Sequence, residues 1–256
     1  MLDKVKDLRG FKLRALDGWI GSVSEFYFDD QFWTIRYLVV DTGSWLEERA
    51  ILISPYAVTS VNRNEKTVSV NLTRRRIESG PTLESHNPVS RRFEESCFSH
   101  YGWPSYRDGP FAWGSFLLAD QALKHRHHSH KNESGEDPAL QSTRDVMGHH
   151  IQAKDGEIGH VEDFVFEDRS WTIRYIIVAM RNWWPGSQVL ISPLWIGNID
   201  WMGAKVNVDL SRDAIRTSPV YAEDALVVRD YETRLHDHYD REGYWNDEMA
   251  GAGQIE

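Results

Sequence analysis

Residues 33–40 read WTIRYLVV and residues 171–178 read WTIRYIIV. Six of the eight letters are identical, and the other two exchange one aliphatic side chain for another. Both octets are rich in β-branched and aromatic residues, the composition of a buried strand. Strict alternation along the first puts Trp33, Ile35, Tyr37 and Val39 on one face and Arg36, Leu38 and Val40 on the other.

The surroundings repeat as well, at a constant offset of 138 residues. That offset joins Trp33 to Trp171, Asp17 and Gly18 to Asp155 and Gly156, Ser54 and Pro55 to Ser192 and Pro193, and Leu72 to Leu210. Further on it joins Pro81 to Pro219, Glu94 to Glu232, His100 and Tyr101 to His238 and Tyr239, and Tyr106 to Tyr244. No gap is needed over about 90 positions, of which roughly a third are identical. The chain is two copies of one module, each long enough to own a core.

Within a copy the pattern is that of short strands and tight turns. In the first, Phe11 opens a strand and Asp17–Gly18 marks a hairpin turn. Residues 19–28 form the next strand, with Ile20, Phe26 and Phe28 on one face; Gly21, like Gly159, marks a bulge or bend. Asp29 and Asp30 turn the chain into the strand that opens at Trp33. Residues 49–53 and 58–61 are further strands around Ser54 and Pro55. In VSVNL and VNVDL, Val68, Val70 and Leu72, like Val206, Val208 and Leu210, alternate with polar residues as in a half-buried strand. So many short strands in so few residues predict a small closed barrel, which removes exposed edges. The composition then changes: the runs from Val89 and Val227 each read as one amphipathic helix leading into an aromatic segment.

The expected fold is therefore mainly β: two tandem small barrels, each followed by a short C-terminal helix and aromatic tail. Domain 1 spans 1–107, with its barrel at about 8–80 and its tail at 81–107. Domain 2 spans 145–247, with its barrel at about 145–218 and its tail at 219–247. Between them, 108–144 is polar and His-rich, as a linker is. Residues 248–256 read as a frayed tail.

Composition narrows the function classes. The formal net charge of −10 argues against nucleic acid as main partner. No apolar run reaches the ~18 residues of a membrane span. The N-terminus lacks a secretory h-region, and a single cysteine, Cys97, excludes an internal disulfide framework; both point to the cytoplasm. Walker, GxGxxG, HExxH, CxxC and GxSxG motifs are missing, which points away from an enzyme and from a bound cofactor.

Three groups of residues remain to be placed. His125, His127, His128 and His130 are candidate metal ligands, set against a solvated linker. Trp45, Trp183 and Trp184 lie in loops that differ between the copies, and are either interaction residues or caps on the barrel ends. Arg36 and Arg174 sit mid-strand among apolar neighbours and need structural ion-pair partners; Asp30 or Glu25 in the first copy and Asp168 or Asp163 in the second are the candidates. Trp33 and Trp171 are structural. Glu94 with His100, and Glu232 with His238, stand six residues apart on different helix faces. That favours a packed tyrosine and a hydrogen-bonded histidine over acid–base work.

The blocks DGWIGSVSEFYFDDQFWTIRYLVVDTGSW, ILISP and VSVNLTRRRIESGP resemble the PRC-barrel proteins, named after the cytoplasmic domain of the photosynthetic reaction-centre H subunit. The second copy offers DGEIGHVEDFVFEDRSWTIRYIIV, VLISP and VNVDLSRDAIRTSP in the same order, and HYGWPSY is similar to the end of stand-alone bacterial members. The resemblance implies a small β-barrel serving as a non-enzymatic adaptor or regulatory module for a protein partner. It also implies an association of the two barrels as a pseudo-dimer. A related barrel in a ribosome-maturation factor gives RNA- or ribosome-associated work as the alternative, and the histidine-rich linker gives a metal-responsive one.

Overall fold

The computed structural model of the chain describes residues 1–46, 49–83, 89–105, 140–180, 187–222 and 226–246. The histidines at 125–130, Trp183, Trp184 and the tail at 248–256 lie outside the described residues.

The first repeat runs β1 (Leu2–Lys4), α1 (Val5–Leu8), β2 (Lys12–Ala15), β3 (Gly18–Asp29), β4 (Thr34–Asp41), β5 (Ala50–Ile53), β6 (Val58–Asn62), β7 (Thr67–Val70), α2 (Arg74–Glu78) and α3 (Arg91–Tyr101). The second runs β8 (Leu140–Ser142), α4 (Thr143–Val146), β9 (His150–Ala153), β10 (Gly156–Glu167), β11 (Ile173–Met180), β12 (Gln188–Ile191), β13 (Ile196–Asp200), β14 (Lys205–Val208), α5 (Arg212–Arg216) and α6 (Arg229–His238). The architecture is mainly β, with two seven-stranded sheets.

The first sheet follows the order β5-β4-β3-β2-β7-β6, and the second β12-β11-β10-β9-β14-β13. All pairs are antiparallel except β2 with β7 and β9 with β14. The Asp17–Gly18 turn joins β2 to β3, with Gly18 at φ 152°. Gly21 answers to a close approach: a Cβ there would overlap the carbonyl oxygen of Asp41, as one at Gly159 would overlap that of Ala179.

No ladder joins β5 to β6 or β12 to β13, so the closed barrel expected from the strand pattern is not what the hydrogen bonds form. The sheets nevertheless curl. Edge strands β5 and β6 are separated by residues 54–57 alone. A flat path of six strands would hold them ~24 Å apart, whereas five Cα–Cα steps reach at most ~19 Å. The link is also shortened by a 3-10 turn at Pro55–Ala57, capped by the Ser54 hydroxyl, which accepts from the Tyr56 N–H at 3.1 Å. Pro193–Trp195 repeats the device with Ser192.

The seventh strand of each sheet comes from the other repeat. β3 is twelve residues long and has two partners along one edge: β2 along residues 18–22 and β8 along residues 27–29. β10 likewise pairs β9 and β1, with Leu2 opposite Glu167 and Lys4 opposite Val165. One compact unit thus gathers Met1–Lys4 with the described residues from 145 onward, and the other gathers residues 5–105 with 140–144. Residues 140–144, read as the end of the linker, are β8 and the start of α4. Their seat is specific: the Ser142 hydroxyl donates to Glu25 at 2.5 Å, and the Thr143 hydroxyl accepts from the Phe26 N–H at 3.3 Å. In the other sheet the N-terminal ammonium of Met1, just before β1, pairs with Asp168, just after β10, at 2.6 Å.

The cores repeat. Leu13, Phe26, Phe28, Ile35, Tyr37, Ile51, Val68 and Ile77 are buried in the first unit; Ile151, Phe164, Phe166, Ile173, Tyr175, Val189, Val206 and Ile215 are buried in the second.

Candidate functional site

The repeated octet does not run as an unbroken alternating strand. Trp33 and Trp171 precede their strands in the left-handed region, at φ 52° and 57°. For a bulky residue that costs ~1–3 kcal/mol. The rings are buried and stack on Phe28 and Phe166 with centroids 5.2 Å apart, which offsets it. Arg36 and Arg174 then occupy a bulge: Tyr27 faces Tyr37 and Phe28 faces Ile35, so Arg36 has no opposite number. The same step recurs between Tyr175 and Ile173.

The bulge re-aims the arginines. Arg36 Nε lies 2.5 Å from Asp29 Oδ2, with the carboxylate fully buried. Arg174 Nη2 lies 2.6 Å from Glu167 Oε2, at a partly exposed edge. Both form ion pairs. The partners are Asp29 and Glu167, the residues just before Asp30 and Asp168, which the sequence offered along with Glu25 and Asp163. The Arg174 pair holds the Glu167 carboxyl below its ordinary range against the opposing effect of burial, helped by the Ser170 hydroxyl at 2.7 Å.

Tyr37 and Tyr175 stand at the centre of these strands and point to helices α3 and α6. The Tyr37 hydroxyl donates to Glu94 at 3.1 Å, and the Tyr175 hydroxyl to Glu232 at 2.9 Å. Both carboxylates are buried. Each is in the first turn or so of its helix, where the backbone dipole favours negative charge. His100 and His238 do face elsewhere: their Nε2 atoms meet the Arg76 and Ala214 carbonyls, both at 2.8 Å. Cys97, on the buried side of α3, has its thiol pushed up to about 12, chiefly by burial, which disfavours the thiolate.

The second copy builds further. His236, one helical turn after Glu232 and so on the same face, brings Nε2 to 3.1 Å from the Tyr175 hydroxyl and Nδ1 to 2.9 Å from the Glu242 carbonyl. Glu232 also accepts from the Tyr244 hydroxyl at 2.8 Å and pairs with Arg229 at 3.1 Å. Arg229 stacks on Trp245 at 4.2 Å, and Arg174 lies over Tyr244 at 4.0 Å. Strand, helix and aromatic tail are tied together in one buried polar cluster.

Its protons can be counted. A carbonyl only accepts, so Nδ1 of His236 carries hydrogen. Burial lowers the pKa of His236, which favours neutral imidazole with a bare Nε2. The single Tyr175 proton then faces two acceptors, His236 and Glu232. Burial raises the Tyr175 pKa, with the Glu232 charge adding to it, so that proton stays on the ring oxygen. The cluster has room for one more proton.

His236 was not singled out from the sequence. The signal was its i, i+4 spacing from Glu232 on an amphipathic helix; the first copy concealed it by placing Phe98 there. Trp45 falls in the Gly43–Leu46 turn. Among the described residues, no three His, Cys, Asp or Glu side chains gather to hold a metal ion, and no helix is long and apolar enough to cross a membrane. No protein-family model matches the chain, and no curated protein matches it in sequence.

Proposed function

We propose that the chain is a PRC-type adaptor without enzymatic activity, its two barrel-like repeats acting as a pseudo-dimer in one polypeptide. The observation that carries this reading is the reciprocal strand exchange. Each repeat lends its first strand to the other's sheet, as two subunits do in an arm-exchanged homodimer. The consecutive edge strands and tight 3-10 links support a barrel-like curl. Fusing the pair in one chain lets the two copies diverge on their surfaces while sharing a scaffold, which suits a protein that joins two different partners.

The test is affinity capture from the native cell with the full chain and with a Trp183→Ala, Trp184→Ala variant. A protein retained in stoichiometric amount by the first and lost by the second is expected. Retention of no protein, or retention indifferent to the loop, overturns the reading.

A further inference from the structure

We propose that the β2–β3 hairpin face of the first repeat docks the chain onto an anionic lipid surface. Leu16, at the hairpin tip, is 70% exposed, and Trp19, the first outward residue of β3, is 52% exposed. Arg14 sits opposite Trp19 in the ladder, with its guanidinium 5.8 Å from the indole. Lys12, two residues back on the same outward face, places its ammonium 6.0 Å from the same ring. Arg74 lies across the turn at Gly18. The carboxylate at the tip, Asp17, is occupied, accepting the Arg74 N–H at 2.7 Å.

An aliphatic tip, an indole beside it and cations behind is the composition of a membrane-interface contact. Indoles prefer the headgroup level, apolar side chains enter the acyl boundary, and Lys and Arg are drawn to anionic headgroups. Single-stranded nucleic acid would use the indole and the cations but leave Leu16 idle, so lipid is the occupant the residues fit. The acidic net charge of the whole chain does not forbid this, because charges beyond the Debye length are screened.

The second repeat supplies the contrast on the same scaffold. Lys154 and Glu157 stand where Leu16 and Trp19 stand, and His150 and Gln152 replace Lys12 and Arg14. There the groups pair with one another or with neighbours: Lys154 with Asp209 at 2.6 Å, and His150 with Glu157 at 2.9 Å. Nothing apolar projects from that hairpin tip. These residues are also safe replacements, since an equivalent hairpin already folds with them.

The experiment is flotation of the full chain with vesicles of phosphatidylcholine alone and of phosphatidylcholine with phosphatidylglycerol, at low and high salt. Wild type is expected to float with the anionic vesicles, to be released by salt and to ignore the neutral ones. The graft Leu16→Lys, Trp19→Glu should abolish flotation with an unchanged melting temperature. Lys12→His and Arg14→Gln should each weaken partitioning about fivefold, the effect of one cation near an anionic surface. Absence of wild-type flotation, equal flotation of the graft, or binding of a single-stranded oligonucleotide in place of vesicles overturns the proposal.

Discussion

Under α3, Tyr37 meets Glu94; under α6, Tyr175 meets Glu232; and around this shared pair the two repeats place different side chains. In the first, Trp103 comes from the tail after α3 and stacks on Tyr101 at 4.3 Å. In the second, Trp195 comes from the 3-10 turn between β12 and β13 and packs on Tyr239, the counterpart of Tyr101, at 4.7 Å. Where one repeat has its tryptophan the other does not: Ala57 corresponds to Trp195, and Arg241 to Trp103. Both tryptophans are buried. In each repeat an indole packs on that tyrosine, supplied by a different element, as expected of cores that conserve volume rather than identity.

That exchange can be broken. Replacing Trp103 with Arg, its counterpart residue, removes a buried indole and should cost about 3–5 kcal/mol. Ala57→Trp alone should overpack the site and cost about 1–3 kcal/mol. Together they recreate the second repeat's arrangement, and the double variant should be clearly more stable than the sum of the two losses predicts. Chemical denaturation of all four proteins gives the coupling energy directly. Simple additivity would mean that the two indoles do not substitute for each other.

The bulge arginines sharpen the comparison next. Arg36→Met leaves the fully buried Asp29 carboxylate without its cation. Loss of one member of a buried pair costs about 3–5 kcal/mol. Glu167 is 22% exposed and keeps the Ser170 hydroxyl, so Arg174→Met should cost roughly half as much. Melting curves that rank the two variants in the opposite order would refute the burial argument.

Much of this architecture was legible in sequence because its signals are local. The fixed offset, the Asp–Gly turns, the alternating valines and the helical tails all became repeated elements. The Arg36 and Arg174 ion pairs were legible as a need for charge compensation. Their partners were not, since a bulge changes which side chains meet without changing composition. Tryptophan suits strands, so composition extends each strand to Trp33 and Trp171; their left-handed backbone accompanies stacking on phenylalanines five residues earlier, a contact that composition does not reveal. The strand exchange left no signal at all. β1 and β8 are three residues each, and which sheet a short edge strand joins is settled by tertiary pairing. His236 was hidden for the opposite reason, being a feature of one copy in a chain read by comparing two.

The smallest effect concerns that histidine. His236→Phe makes the second repeat resemble the first at Phe98 and deletes the hydrogen bonds to Tyr175 and Glu242. Above neutral pH the loss should be about 1–2 kcal/mol, as for two modest buried hydrogen bonds. The more telling change is in pH dependence. The folded-state pKa of His236 lies below its ordinary 6.5 because burial disfavours the imidazolium. As pH falls through about 6.5 the unfolded chain takes up a proton that the folded cluster resists, so this residue's contribution to stability is full above that pH and declines below it. Charged neighbours facing the ring modulate the decline: Arg229 on α6 opposes protonation, and Asp237 on the same helix favours it. The difference in unfolding free energy between wild type and His236→Phe, followed from pH 8 to pH 5, should therefore shrink on acidification. A difference that stays constant would show that the ring is protonated equally in both states. A difference that widens would show that the bare Nε2 of His236 beside Tyr175 takes its proton readily, reversing the order of the two effects that burial and hydrogen bonding exert on this cluster.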